Sequence, residues 1–192
     1  MNEAALEVRV PGWLRDHAGE THLASDDAVV QMLNRLAAEN VRQGTGGPFA
    51  AAVVDDASRE IVSVGVNLVL SSQISSAHAE VVALSLAQSR LRTWSLRADG
   101  RGRTLFVNAQ PCAMCLGAVV WSGVSGLDFS ALGSDVERLT GFDEGPVTPD
   151  WRQQLVTRGI SVSSGRCESE SHAVLADYGK RVRDGEIPLY NR

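Results

Sequence analysis

A histidine, a glutamate and two cysteines in a fixed pattern constrain this chain more than any other feature. They stand as His78-Ala79-Glu80 and, further along, Pro111-Cys112-Ala113-Met114-Cys115. Two thiolates and one imidazole can hold a zinc ion and leave its fourth tetrahedral position open for water. An open position marks a catalytic metal rather than a structural one. Glu80 supplies what such a water needs next, a base that takes its proton and returns it elsewhere. The pattern also dictates local structure. Pro111 suits the start of a helix, where its missing N–H is not needed. Cys112 and Cys115 then share one face of the first turn, and the partial positive charge there favours thiolate over thiol. His78 follows a polar loop and falls at a second helix start, with Glu80 two residues on.

Simpler readings of the same residues fail on context. A lone C-x-x-C is commonly a redox pair, but that pair would follow the first strand of a thioredoxin-like pattern, which is missing here. A structural zinc site needs a fourth ligand, and neither Cys167 nor the three remaining histidines stand at finger-like spacing. Catalytic zinc, one ion per subunit, is the expectation. The chain has three cysteines, so Cys167 is left as a lone thiol, no intrachain disulfide framework is expected, and a reducing compartment fits.

Periodicity places a helix over about 26–43, opened by Ser25-Asp26-Asp27. Strands are expected over 49–54 and 61–70, joined as a hairpin through Asp55-Asp56-Ala57-Ser58. A polar loop at 71–77 leads into a buried helix over about 78–92. A strand at 103–109, the cysteine helix to about 122 with Gly123 as its stop, and a strand at 126–131 follow. The stretch 133–150 reads as a long loop, then come a strand at 160–163 and a last helix from 169 to about 183. Strands alternating with helices argue for an α/β fold with a mixed sheet covered on both faces. Asn67 stands inside an apolar strand run and must find hydrogen bonds if buried; it either reads a substrate edge or satisfies a neighbouring loop. Trp121, closing the cysteine helix, is expected in the core.

At 192 residues the chain fits a single domain. No apolar run approaches the ~20 residues that cross a bilayer, so no membrane association is expected. The opening residues lack the basic-then-apolar order of a signal peptide, and a cytoplasmic protein is the expectation. Net charge is -5 and Lys180 is the only lysine. Nucleic-acid binding usually rests on a basic footprint, so the expected partner is a small free molecule rather than a nucleic acid.

The two halves of the pattern resemble the H-x-E…P-C-x-x-C signature of zinc-dependent nucleobase deaminases. Over nearly its whole length the chain resembles the cytidine-deaminase-like superfamily, and within it the bacterial guanine deaminase branch, some members of which also act on the triazine ammeline. The likeness is carried by Gly47-Pro48-Phe49-Ala50-Ala51-Ala52-Val53, Gly65-Val66-Asn67, Ala77-His78-Ala79-Glu80, Pro111 to Ala118, Trp121-Ser122-Gly123-Val124, Gly141-Phe142-Asp143-Glu144-Gly145-Pro146 and Tyr190-Asn191. It implies a three-layer α/β/α sandwich around a five-stranded mixed sheet. It also implies a homodimer in which a C-terminal segment, about 168–192, is often exchanged between subunits. The activity implied is hydrolytic removal of an amino group from a free nucleobase, guanine first among candidates, with cytosine, nucleosides, modified bases and tRNA adenosine as alternatives. By the same likeness Glu144 assists protonation of the departing amine. Phe49 and Phe142 would wall or sandwich the flat ring, Asn67 would read its edge, and backbone groups near Ala77 would help. One departure stands out: the superfamily often has glutamate before the Pro-Cys pair, and here it is Gln110.

Overall fold

The computed structural model describes residues 7–17 and 22–190. The opening six residues and Asn191, on which two of the sequence readings fall, lie outside them. The strands are β1 (Ala50–Asp55), β2 (Ile61–Val66), β3 (Arg103–Ala109), β4 (Gly126–Ala131) and β5 (Ser161–Ser164). They form one sheet in the order β2-β1-β3-β4-β5. β1 runs antiparallel to both β2 and β3, whereas β3–β4 and β4–β5 are parallel. The sheet is therefore mixed and five-stranded, as the resemblance implied.

Every residue of β1 is buried, the pattern of a strand covered on both faces. Ala50, Ala52 and Val54 face α2 (Asp26–Arg42), while Ala51 and Val53 face α4 (Ala79–Leu91) and α5 (Ala113–Ser122). α8 (Glu168–Arg183) lies beside α2, where the Ser171 hydroxyl donates to Asn34 Oδ1 at 2.8 Å. Three layers result. α2 forms because Ser25 accepts the Ala28 N–H as an N-cap, with Asp26 and Asp27 in the first turn. Its apolar stripe, among it Val29, Leu33, Leu36 and Ala37, buries against the sheet, each large side chain stabilising by roughly 1.5–3 kcal/mol.

Gly65 on β2 sets how close α4 comes. A Cβ there would lie 2.5 Å from the carbonyl oxygen of Ala79 and 2.5 Å from the nitrogen of Ala83. Strand and helix backbones touch because the position has no side chain.

Several expectations need correcting. The second strand ends at Val66, not at residue 70; Asn67 leaves the sheet, and a short helix α3 (Val69–Ser72) follows. Residues 133–150 are not one loop. They contain α6 (Gly133–Thr140), which buries Val136 and Thr140 one turn apart and stops at Gly141, φ 83°. α7 (Trp151–Thr157) and α1 (Gly12–His17) were too short for periodicity to mark. Pro111 precedes the cysteine helix instead of beginning it: Cys112 is the N-cap. Trp121 is not in the core. Cys115, Leu116, Val119 and Ser122 form the buried side of α5, and Trp121, 82% exposed, falls on the other. Among the described residues no helix is long and apolar enough to cross a membrane.

Candidate active site

Two helix starts meet at one end of the sheet. His78 caps α4 and Cys112 caps α5, both in extended backbone conformation. Cys115 follows in the first turn of α5. His78 Nδ1 lies 3.5 Å from Cys112 Sγ and 3.6 Å from Cys115 Sγ. All three donor atoms fall within 4.8 Å of one another, a spacing that one ion can bridge.

The protonation of the donors tests whether a cation fits. A hydrogen bond from Cys115, with another from His78, holds the Cys112 thiol down at about 4. Its proton-donating neighbour is pushed the other way: the bond to Cys112 and burial drive Cys115 well above its ordinary value. One proton is thus shared between two sulfurs in a buried place. Beside them Glu80, 5% exposed, is pushed up to about 7 by burial and by the Cys112 charge. Burial, Cys112 and Glu80 together push Glu144 up to about 8. Four acidic groups crowd into low dielectric, and the His78 charge relieves them only in part. A divalent cation among the donors reverses this and lets both sulfurs ionise. The donor set, two sulfurs and a ring nitrogen, suits zinc.

Glu144 arrives from the loop after α6. Its backbone carbonyl accepts the Ala113 N–H at 3.0 Å, tying this loop to the start of the cysteine helix. Asp143 Oδ1 accepts the Gly145 N–H at 2.7 Å, and Gly145 has φ 72°. The loop is therefore folded by its own turn chemistry.

An inner slot lies beside the donors. Phe49, Asn67, Glu80, Phe142, Glu144 and Tyr190 line it, together with His78, Gln110 and Cys112. A wider vestibule opens from it, sharing His78, Cys112, Glu144 and Tyr190 and adding Val69, Ser75, Met114 and Pro146. Phe49 and Phe142 stand side by side, ring centroids 5.5 Å apart. Rings that close already touch, so they form one wall and do not sandwich a third ring. Phe142 is itself held by Tyr178, stacked at 5.2 Å.

Asn67 is 1% exposed. Its Oδ1 accepts the N–H groups of Gly47 at 3.2 Å and Val69 at 3.3 Å. Its Nδ2 is buried with no hydrogen-bond partner. The oxygen end of the amide thus satisfies neighbouring loops, as one of the two sequence readings had it, and the residue also lines the slot beside Tyr190. Ala77 is brought close but lines neither hollow; its N–H donates to Ile74 and its carbonyl accepts from Leu68. Gln110 does line the slot, and its Oε1 accepts the N–H of Gly133, the first residue of α6, at 3.2 Å. Cys167 lines neither hollow, caps α8 in the left-handed region at φ 49°, and packs against the α2 side of the core.

Sequence reasoning missed three residues. Tyr190 reaches the slot from the tail, its ring 4.9 Å from Phe142; burial pushes its hydroxyl well up, and contact with Asn67 offsets part of that. Asn40 and Asn108, both wholly buried, hold the loop that carries Phe49. Asn40 did leave a signal, since it continues the buried stripe of α2 where an apolar residue is expected.

Comparison with known proteins agrees with this geometry. Residues 23–131 match the cytidine and deoxycytidylate deaminase zinc-binding region. Guanine deaminase of Bacillus subtilis is 37% identical over 109 residues, which span 57% of this chain and 65% of that protein, just under two thirds of its length. A tRNA-specific adenosine deaminase of Haemophilus influenzae is 37% identical over 141 residues, 71% of this chain and 73% of that protein. Among solved structures, guanine deaminase from Nitrosomonas europaea superimposes with a TM-score of 0.88 at 41% identity, covering 94% of this chain and 98% of that one. The chain belongs to the zinc-binding cytidine and deoxycytidylate deaminase family, and it resembles guanine deaminases along nearly its whole described length.

Proposed function

We propose that this protein hydrolyses the exocyclic amino group of a free purine base, with guanine the favoured substrate, giving xanthine and ammonia. The observation that carries this is the convergence on one slot of two carboxyl groups, Glu80 buried and Glu144 half-buried, beside His78 and Cys112. His78, Cys112 and Cys115 would hold the zinc, which when bound would supply the Lewis acidity that makes a water easier to deprotonate.

The remaining steps belong to side chains. Glu80 takes a proton from the attacking water as its oxygen bonds to C2 of guanine. The C2–N3 electron pair moves onto N3, and Glu80 returns the proton there. Glu144 carries the second proton from the new hydroxyl to the exocyclic nitrogen. The C2–N bond then breaks, its electron pair leaves on ammonia, and the oxygen remains as a carbonyl. Both carboxyls suit this shuttling because burial moves them toward neutral pH. The aromatic wall of Phe49 and Phe142 positions the flat ring, and Asn67 donates to an acceptor on its edge.

Tyr190 and Phe142 enclose the slot, which favours a free base over a nucleoside or polynucleotide. Ammonia release against guanine, guanosine, ammeline, isoguanine, cytosine, cytidine, adenine and adenosine tests the reading. Guanine or ammeline should lead. Turnover confined to the pyrimidines or to adenosine would discard the purine-base assignment and leave only the hydrolytic one.

Pairing into a homodimer belongs to the same reading. The outer side of α5 presents Met114, Gly117 and Trp121, the last 82% exposed, and Trp94 nearby in sequence to the packed Leu96 is 83% exposed. Apolar surface of this kind usually covers a contact. Trp121→Glu is expected to convert a dimer to a monomer in analytical ultracentrifugation; an unchanged sedimentation coefficient would place the contact elsewhere.

A further inference from the structure

Asn67 can serve as a reader only if its amide is held one way round. The oxygen and nitrogen ends have almost the same shape, and which one meets a ligand depends on what grips the other. Here Oδ1 is gripped by two backbone donors, Gly47 N–H and Val69 N–H. A flipped amide would set its NH2 against both donors and leave them unsatisfied in a buried place, which is costly.

Gly47 is itself held by Asn40, through its carbonyl oxygen. The Asn40 side chain is 0% exposed and lines neither the slot nor the vestibule. Its Nδ2 spends its two hydrogens on two carbonyls, Gly47 at 2.9 Å and Asn67 at 2.7 Å. One NH2 group thereby couples the glycine loop to the backbone of the reader. Asn40 is in turn oriented by Thr45, whose hydroxyl donates to Asn40 Oδ1. The approach is close enough to exclude a side chain between the two segments: a Cβ on Gly46 would fall 2.0 Å from the Asn67 carbonyl oxygen.

We propose that Asn40 is a positioning residue that fixes the Asn67 amide with its NH2 end toward the base, and so sets a preference for a carbonyl over an amino group at that edge. The inference rests on the nucleobase reading of the slot. An NH2 donor pairs with a carbonyl oxygen, whereas an amino group in the same place puts donor against donor. Sites built on one buried hydrogen-bonding group discriminate strongly for this reason. Asn40 touches no ligand, and its effect passes through Gly47 to Asn67.

The test compares wild-type protein with the N40S and T45V variants. KM and kcat for guanine are measured with the inhibition constant of 2,6-diaminopurine, which carries an amino group where guanine has its carbonyl. Zinc content and melting temperature are followed in parallel. Wild type should favour guanine. N40S should cut that preference about tenfold or more, through KM and the inhibition constant, with zinc retained. T45V keeps Asn40 in place and should shift the preference in the same direction by a smaller factor. If N40S does not fold, T45V decides alone. A fall in kcat with the preference intact would make Asn40 merely structural and overturn the proposal, as would a wild type with no preference. A wild type that releases no ammonia from guanine is a different failure, that of the underlying function.

Discussion

Replacing Glu80 with alanine is expected to lower turnover of guanine by about 10²–10⁴-fold while the protein keeps its zinc. In activation terms that is roughly 3–5 kcal/mol. Glu80 stands two residues beyond His78 on the same helix start, but it is no part of the group formed by His78, Cys112 and Cys115. Removing it takes away the proton carrier and leaves all three donors. The loss should therefore appear in kcat, with metal content by atomic absorption unchanged. Glu80→Gln, which keeps the shape and cannot carry a proton, should be equally inactive. Folding should not suffer, because a carboxyl that is 5% exposed and pushed up to about 7 by burial is a cost to the folded chain. A Glu80→Ala protein working at the wild-type rate would remove this residue from the mechanism.

Glu144 should matter for a different proton. Glu144→Ala is expected to lower kcat for guanine by about a hundredfold with a small change in KM, since the ring is positioned mainly by the aromatic wall and Asn67. Zinc should stay bound, because the Glu144 side chain is not among the clustered donors. The local fold should also survive: the contact that ties this loop to α5 is made by the Glu144 backbone carbonyl, which alanine keeps. Unchanged guanine kinetics in this variant would remove Glu144 from the proton path, whereas loss of zinc would recast it as a support of the metal site.

That His78, Cys112 and Cys115 cluster at two helix starts, with Glu80 beside them, was legible in the sequence because their spacing is short and local. A helix start fixes where residues one turn apart point, and no long-range information is needed. The strands at 103–109 and 126–131 were legible for the same reason, as apolar runs cut by clear turn residues, and both match the observed bounds. Asn67 was harder. Its neighbours Val66, Leu68 and Val69 read as a continuing strand, but the chain turns at Asn67 because its side chain grips Gly47 and Val69. That choice is made by a loop twenty positions earlier, which periodicity cannot see. α6 hid behind its Gly-Ser opening, and only burial of Val136 and Thr140 reveals it. Trp121 was misread on composition. Large aromatic residues are usually inside, but on α5 Cys115, Leu116, Val119 and Ser122 take the buried side. Tyr190 matched the family in sequence, but that it reaches the slot is decided by tertiary packing, which no local pattern shows.

The contact at Gly65 ties the chemistry to sheet geometry. β2 is an edge strand, and its one glycine meets the first turn of α4 with no room for a methyl group. That turn begins at His78 and carries Glu80. Any side chain at Gly65 has to push this turn off the sheet, and the displaced backbone takes His78 and Glu80 with it. The tolerance of the reaction to error is thus written partly into a clearance between main chains, at a residue that touches neither substrate nor ion. A misfit at Gly65 is therefore felt first at the start of α4, where His78 and Glu80 stand, and a small misplacement there is costly to any reaction that depends on alignment.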